Sequence, residues 1–313
     1  IDALPIEETH ECAYRSENAG VMHACGHDAH AACLLGAAKI LSENRDAFSG
    51  KVRLVFQPGE EIGKGAKPFV AAGVLEGAER VFGLHTAYDL EAGTVGLKPG
   101  INNAAVDHFR IRVHGKSTHV STPHLGVDAL YIASQIVVAV QGLVTRCTSP
   151  TEPVIIGVGK LNAGTTYNAV AAFAEMEGTT RTISQESRDR VRAQVSETAQ
   201  SIAALYGGTA EVEWTDFAAA LVNDPQVCEE AARVVDELLG AGHVVTDREL
   251  SLSGDNFAEF ELYKPGAYAY LGTGNPDLPH TMITNHNGGF DVDENALVTG
   301  AGLYVGYTVA RLG

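Results

Sequence analysis

The feature that most constrains the fold is a change in the order of predicted helices and strands at about residue 105. Before it, apolar residues at helical spacing indicate a helix at 28–42, and short β-rich runs indicate strands at 51–56, 81–85 and 93–97. This alternation of strands and helices is typical of a parallel sheet covered by helices. We therefore predict an α/β domain at the start of the chain.

From 105 to 216 the predicted order becomes β-α-β-β-α-β, the order of a ferredoxin-like unit. The α/β order then returns, with a helix at 224–239, a strand at 267–271 and a closing helix from Asn295. At 313 residues the chain exceeds the roughly 250–300 residues that one core usually serves. We predict a discontinuous catalytic domain with a mostly parallel sheet (1–104 and 217–313) and an inserted ferredoxin-like α+β domain (105–216).

Composition excludes several classes of function. Lys and Arg number 22 against 39 Asp and Glu, so the net charge of -17 repels polyanions, and nucleic acid is not an expected partner. No apolar run reaches the roughly 18 residues that cross a bilayer, so no membrane span is predicted. Five cysteines without the spacing of a disulfide scaffold favour a reducing, cytoplasmic location.

The segment from Met22 to His30 places several possible metal ligands directly before an apolar helix. Cys25 as a thiolate and His27 through its imidazole are good ligands for zinc-like ions, and Gly26 lets the backbone turn so that both converge. In the alternative interpretation, Asp28 caps the helix and the histidines are solvated. The motif alone does not decide between the two.

A pair of carboxylates, Glu60 and Glu61, follows the predicted strand 51–56 at a Pro-Gly turn. Adjacent side chains in an extended segment point to different sides, so Glu61 could bind a metal while Glu60 stays free as a base. The alternative is a solvated pair in a loop. His85 is placed at the end of strand 81–85, where α/β proteins build their sites, although it could also be a hydrogen-bonded core histidine.

Four motifs in order along the chain resemble one family of metal-dependent enzymes. They are His-Ala-Cys-Gly-His-Asp-Ala-His, Phe-Gln-Pro-Gly-Glu-Glu, Phe-Gly-Leu-His and Pro-His-Leu-Gly-Val-Asp-Ala. The chain resembles, from Ile1 to its C-terminus, the hippurate hydrolases, N-acyl-amino-acid hydrolases and indoleacetyl-amino-acid hydrolases. These amidohydrolases form a branch of the aminoacylase and carboxypeptidase G metallopeptidases.

The resemblance implies a metal centre with two divalent ions (Mn, Zn, Co or Ni) per subunit and a general base or acid, Glu60. The implied metal ligands are Cys25, His27, Glu61, His85 and His286. His286 matches the family's C-terminal histidine before Phe-Asp-x-Asp-Glu, whereas His280 lies ahead of that pattern and is interpreted as a loop residue.

The resemblance also implies that the inserted domain is a lid and dimerisation domain. His119 in Gly-Lys-Ser-Thr-His matches a histidine that holds the substrate carbonyl from the partner subunit, so a homodimer or higher homo-oligomer is expected. Without the resemblance, His119 would be interpreted as a surface imidazole. Asn168 and Arg181 match positions that contact substrate, and a guanidinium suits a carboxylate.

Three segments depart from the family pattern. The family has a further strand-and-helix stretch before Ile1-Asp-Ala-Leu-Pro, so a chain that begins there is expected to leave a sheet edge and apolar surface for something else to cover. The segments 168–171 and 253–257 differ where the family faces substrate. We expect these two differences to retune the pocket while leaving the implied metal ligands in place.

The leading hypothesis is hydrolysis of the amide bond of an N-acyl or aroyl amino acid by metal-activated water. A dipeptidase or carboxypeptidase of the same superfamily is the nearest alternative. A truncated homologue that binds metal and ligand without turnover is a second alternative, against which the retention of Glu60 beside Glu61 argues.

Overall fold

Three helices in this protein begin at residues whose side chains cap the first turn. Asp128 accepts hydrogen bonds from the amides of Leu130 and Tyr131 at 3.0 and 3.1 Å, and Asp224 caps the helix that opens with Pro225. The computed structural model describes all residues, 1–313. Its helices are α1 (His27–Glu43), α2 (Ala66–Ala71), α3 (Ala129–Arg146), α4 (Gln185–Leu205), α5 (Pro225–Leu239), α6 (Ala258–Glu261) and α7 (Ala296–Leu312). Its strands are β1 (Val81–Glu91), β2 (Val95–Gly96), β3 (Gly100–Asn103), β4 (Ala105–His114), β5 (Ile155–Ala163), β6 (Phe173–Thr182), β7 (Thr209–Ala218), β8 (Leu221–Asn223), β9 (Val244–Val245) and β10 (Gly266–Gly274).

The chain forms two compact units. Unit 1 consists of Ile1–Asn102, Leu221–Leu250 and Asp255–Gly313, and unit 2 consists of Asn103–Ala220 and Ser251–Gly254. The catalytic role assigned to the first part of the sequence and the lid or dimerisation role assigned to the insert stay predictions.

Unit 1 is built on a four-stranded sheet in the order β1-β10-β2-β9. Strand β1 is parallel to β10 and β2 is parallel to β9, while β10 and β2 are antiparallel. Leu84, Ala269 and Leu271 bury their side chains against the helices, and Leu303 from α7 lies in the same core. The predicted α/β class, with a sheet that is mostly parallel and covered by helices, is confirmed.

Unit 2 is an antiparallel sheet in the order β5-β6-β4-β7 with α3 and α4 packed against it. Along β4 every second side chain is buried, as the alternation of Phe109, Ile111 and Val113 predicts. The element order and strand order are those of a ferredoxin-like fold, so this prediction is also confirmed.

The predicted strand at 51–56 is wrong. The segment has no ladder partner, and Val52 and Leu54 are 39% and 38% exposed. A β-rich run becomes a strand only when another backbone lies beside it to exchange hydrogen bonds, and no described segment does so here. Strand β1 also continues to Glu91, well beyond the predicted end at His85.

Helix α3 is long and apolar enough to cross a membrane, with 18 residues and a mean hydropathy of 1.3. Core helices of soluble proteins share this property. Ile132, Ile136 and Val140 on one face of α3 are fully buried in the core of unit 2. The prediction that the chain does not span a membrane stays a prediction.

Candidate metal centre

The turn that leads into α1 places Cys25 and His27 on the two sides of a glycine. Gly26 has φ 78, and a Cβ at this position would lie 2.3 Å from Oγ1 of Thr86. Only glycine adopts this backbone conformation and approach without strain. As a result, the buried side chains of Cys25 and His27 converge, as the sequence motif predicts.

The carboxylate pair lies on a turn that the start of the chain holds in place. The Asp2 carboxylate accepts hydrogen bonds from the amides of Gly59, at 2.7 Å, and Glu61, at 3.0 Å. Oε2 of Glu60 and Oε1 of Glu61 lie 4.0 and 3.8 Å from Nε2 of His27. Both carboxylates therefore face the same imidazole, although Glu61 is the less exposed of the two.

His85 reaches the same place from the middle of β1, so its predicted position at the end of a strand is wrong. Its Nε2 lies 3.5 Å from Sγ of Cys25, and its Nδ1 lies 2.7 Å from the carbonyl oxygen of Thr86. If Nδ1 donates to that carbonyl, Nε2 keeps a lone pair toward the thiol. This is the arrangement that orients a metal-binding imidazole.

His286 comes from the loop before α7 and has φ 62, the one non-glycine residue with positive φ in the chain. Its backbone amide donates to the carbonyl of Ala24 at 2.7 Å, next to Cys25. Its Nε2 lies 3.3 Å from Oε2 of Glu61, while about half of the side chain stays exposed. The strained backbone thus directs this imidazole at the carboxylate.

The structure brings together all five side chains that the family resemblance implies as ligands. Their donor atoms form two groups that share Cys25, one with His27 and His85 and the other with Glu61 and His286, and atoms within each group lie within 4.8 Å of one another. A third such group joins His27 with Glu60 and Glu61. Thiolate, imidazole and carboxylate are the donors that zinc-like ions prefer.

The electrostatics of this cluster fit bound cations. Oε1 of Glu61 is buried and has no hydrogen-bond partner. Burial, Asp255 and Glu61 raise the pKa of Glu60 to about 9, and burial and Glu61 also raise the pKa of the Cys25 thiol. Burial and His85 lower the pKa of His27 to about 3, which keeps its imidazole in the neutral form that binds metal. Positive charge would offset the repulsion among these acidic groups.

The other predicted site residues belong to unit 2, and two of them are neighbours. His119 pairs with Ala169 in an isolated bridge, and Val120 donates its amide to the carbonyl of Asn168 at 3.1 Å. The side chains of His119 and Asn168 are exposed.

Arg181 lies on β6 and uses its guanidinium within unit 2. It donates to the carbonyls of Leu252 and Thr180 at 2.8 and 2.9 Å and to the hydroxyl of Thr179. Burial lowers its pKa. Several of the N–H groups with which Arg181 could bind a substrate carboxylate therefore already donate to oxygen atoms of unit 2.

Two residues of the centre were missed by sequence reasoning. Asp2 holds the turn with the carboxylates, and Asn285 donates its side-chain amide to Sγ of Cys25 at 3.4 Å. Asp2 lies in the segment Ile1-Asp-Ala-Leu-Pro, and Asn285 directly precedes the implied ligand His286. Neither residue belongs to a periodic pattern of helix or strand, because each acts through hydrogen bonds to residues far away in the sequence.

Known proteins resemble the chain over nearly its whole length. Residues 1–309 match the model of peptidase family M20/M25/M40. The N-acetyl-L-cysteine deacetylase of Bacillus subtilis (strain 168) is 41% identical over 298 residues, which are 95% of this chain and 70% of that protein. Thermostable carboxypeptidase 2 of Saccharolobus solfataricus is 38% identical over 304 residues, with 96% and 76% covered.

A solved structure carries the same fold. The Bacillus subtilis YxeP protein, a dinuclear metal binding peptidase from the M20 family, superimposes with a TM-score of 0.84 at 34% identity. The match covers 100% of this chain and 79% of that one. The resemblance predicted from the motifs is confirmed: the chain belongs to peptidase family M20/M25/M40 and is a hydrolase of amide or peptide bonds.

Proposed function

We propose that this protein is a dinuclear-metal amidohydrolase that cleaves the amide bond of N-acyl or aroyl amino acids. The observation that carries the proposal is the convergence of five metal-binding side chains around Cys25, with a further carboxylate, Glu60, beside them. Cys25, His27, Glu61, His85 and His286 would hold two divalent ions. The similarity to an N-acetyl-L-cysteine deacetylase supports an N-acyl amino acid as the substrate class.

When bound, two divalent ions polarise the amide carbonyl and bring the pKa of water near 7. A Cys25 thiolate among the ligands favours manganese, zinc, cobalt or nickel over magnesium. The metal that the protein uses in the cell is one of this group in our proposal.

Glu60 is the residue proposed to move the proton. Its carboxylate takes a proton from the attacking water and then gives the same proton to the leaving amine nitrogen, so no covalent intermediate with the protein forms. Glu60 can do this because burial and the neighbouring acids favour its protonated form, while nearby cations favour the ionised form.

Unit 2 is proposed to complete the site as a lid and dimerisation domain. His119 would hold the substrate carbonyl from the partner subunit of a homodimer, and Asn168 and Arg181 would contact the substrate. The close approach of the His119 and Asn168 segments supports a shared role for these two residues. We also propose that the substrate is a small amide, that the protein is cytoplasmic, and that it binds neither nucleic acid nor a membrane.

A peptidase is the second candidate function, because a thermostable carboxypeptidase is 38% identical to the chain. The two candidates differ in the group that the amino acid is released from. An N-acyl amino acid hydrolase removes an acetyl, benzoyl or indoleacetyl group, whereas a carboxypeptidase removes a residue from a peptide.

The experiment is a substrate panel on chelated protein to which manganese, zinc, cobalt or nickel is returned. Release of amino acid from N-acetyl, N-benzoyl or indoleacetyl amino acids, and little from dipeptides, is the expected result. Metal-restored release from peptides alone would replace the proposal by the peptidase. Absence of release from either set, with at least two metals bound per chain, would contradict both.

A further inference from the structure

A second cluster of metal-binding side chains lies outside the centre described above. His10, His280 and Asp291 place their donor atoms within 4.8 Å of one another. Nε2 of His10 lies 2.9 Å from Oδ2 of Asp291, and Nε2 of His280 lies 3.8 Å from the same oxygen. The three residues come from two segments of unit 1 that are about 270 residues apart in sequence.

The carboxylate of Asp291 is buried and is held in a set orientation. The hydroxyl of Tyr14 donates to it, 3.1 Å from Oδ1 and 3.0 Å from Oδ2, and the amide of Val292 donates to Oδ1 at 2.8 Å. Oδ1 therefore accepts from Val292 and Tyr14, while Oδ2, which the Tyr14 hydroxyl also approaches, lies nearest to the two imidazoles. Hydrogen bonds of this kind orient carboxylate ligands in metal sites.

The spacing of the donors suits an ion of the zinc class. Zinc binds imidazole nitrogen and carboxylate oxygen at about 2.0–2.2 Å in tetrahedral geometry, so two ligand atoms on one ion are about 3.3 Å apart. The two nitrogen–oxygen distances of 2.9 and 3.8 Å lie on either side of this value. A small adjustment of the two partly exposed imidazoles would bring all three atoms to one ion.

The two imidazoles lie beside each other as well as beside the carboxylate. The ring of His280 stacks on that of His10 with centroids 4.8 Å apart and an angle of 16°, and Nε2 of His10 lies 2.9 Å from Oδ2 of Asp291. Both imidazoles have Nε2 within 4 Å of the same carboxylate oxygen, and a tilt of one ring would bring both in-plane lone pairs to one ion. Three protein ligands leave one tetrahedral position for water.

A cavity beside the cluster can supply that water. It has a volume of about 180 Å³ and is lined by Tyr14 and Asp291 together with Glu8, His23 and Asp28. The acidic side chains in its wall favour a cation over an anion.

The place of the cluster in the fold suggests what a bound ion would do. His280 and Asp291 lie on the two sides of the loop that carries His286, whose backbone is strained at φ 62. Thr9, next to His10, donates its amide to the carbonyl of Gly288 in the same loop at 2.7 Å. An ion on the cluster would therefore tie both ends of this loop to the segment around His10.

We propose that His10, His280 and Asp291 bind one further divalent transition-metal ion, which clamps the loop that carries His286. This site is separate from the five ligands around Cys25 and does not depend on the proposed substrate. Its chemistry, two imidazoles and one carboxylate, selects a zinc-class ion over calcium or magnesium.

The test counts metal ions per chain by mass spectrometry after equilibrium dialysis against buffered zinc alone. We expect three zinc ions in the unaltered protein and two in His280→Ala. His124→Ala, which removes an exposed histidine far along the sequence, is the matched control and should keep three. Equal counts in the unaltered protein and His280→Ala would overturn the proposal, as would an equal loss in His124→Ala, because zinc would then bind surface histidines without selection.

Two further variants separate this site from the main centre and from misfolding. The double variant Cys25→Ala/His85→Ala should keep one zinc ion, and retention of none would contradict the proposal. Tyr14→Phe keeps all three ligands and removes only the hydroxyl that orients Asp291, so zinc affinity at this site should fall about 10- to 100-fold. Unchanged affinity in Tyr14→Phe, measured by competition with a zinc-binding dye, would count against the assigned role of Asp291.

Discussion

Glu60 and Glu61 show how neighbouring residues of one type acquire different properties. Both lie near His27, but Oε2 of Glu61 also lies 3.3 Å from Nε2 of His286, and its Oε1 is buried without a partner. Glu60 instead stands close to Asp255, which helps to raise its pKa to about 9. Glu61 is therefore the better ligand for a cation, and Glu60 is the better group to carry a proton.

Replacing Glu60 by glutamine should stop turnover without removing the metal. The amide cannot take the proton of the attacking water, so kcat should fall by about 10²- to 10⁴-fold. Metal analysis of Glu60→Gln should give the same content as the unaltered protein, whereas Glu61→Gln should lose metal. Full activity in Glu60→Gln, or loss of its metal, would contradict the division of roles.

Glu261 makes the stability of unit 1 depend on pH. Burial, together with Asp255 and Asp224, raises its pKa from 4.5 to about 8, although the amide of Val222 donates to it. Because the folded pKa lies above the unfolded value, the contribution of Glu261 to stability is fully present below pH 4.5 and is lost as pH rises through about 8.

The variant Glu261→Gln cannot ionise and should escape this loss. Relative to the unaltered protein, its free energy of unfolding should rise by on the order of 2–4 kcal/mol between pH 5 and pH 9. Urea denaturation at the two pH values measures the change, and Glu237→Gln at an exposed site on α5 is the control. A difference between Glu261→Gln and the unaltered protein that stays constant with pH would contradict the expectation.

At the scale of elements, the backbone conformation at the start of α1 sets the positions of two proposed metal ligands. The helix begins at His27 directly after a left-handed glycine, so both ligands of this segment depend on how the helix starts. Thr86, next to His85 on β1, occupies the space where a side chain at Gly26 would lie. Helix and strand can therefore approach closely only because residue 26 has no Cβ.

Gly26→Ala should disturb this approach as well as the backbone. A left-handed alanine costs about 1–2 kcal/mol, and the collision with Thr86 adds to it. Gly77→Ala is the matched control, since Gly77 has φ 71 and nothing within 4 Å of its Cβ position. Urea unfolding and metal analysis should show a larger loss of stability in Gly26→Ala than in Gly77→Ala, and loss of metal in Gly26→Ala alone. Equal effects of the two variants would show that the approach to Thr86 is unimportant.

For the whole molecule, the proposed dimer makes each active site depend on two chains. If His119 acts on the partner's site, a heterodimer of Glu60→Gln and His119→Ala subunits contains one site with both residues intact. Half of the dimers in an equal, fully exchanged mixture are heterodimers, so the mixture should regain about one quarter of the unaltered activity.

Mixing after mild dissociation and measuring amide hydrolysis tests this expectation. The control is a mixture of Glu60→Gln with Glu61→Gln, which should stay inactive because both lesions affect the same centre. If His119 acted within its own chain, the first mixture would also stay at the activity of its parents, and the proposed role of the partner subunit would be wrong.

The regular elements could be predicted because their signals are local. The helix expected at 224–239 is α5, Pro225–Leu239, and the alternation of Phe109, Ile111 and Val113 is the buried face of β4. Such patterns repeat every two or 3.6 residues and need no knowledge of distant parts of the chain. The strand expected at 51–56 did not form. Its β-rich composition is a property of that segment alone, whereas a strand also needs a second backbone segment beside it.

The sequence by itself determined the α/β class, the ferredoxin-like insert and the family, and the family resemblance implied the five side chains proposed to hold the two ions. Only the tertiary structure decided that Asp2 holds the turn of Glu60 and Glu61, and that His10, His280 and Asp291 meet. The physical reason is that these contacts join residues tens to hundreds of positions apart, and long-range contacts leave no periodic trace in the residues between them.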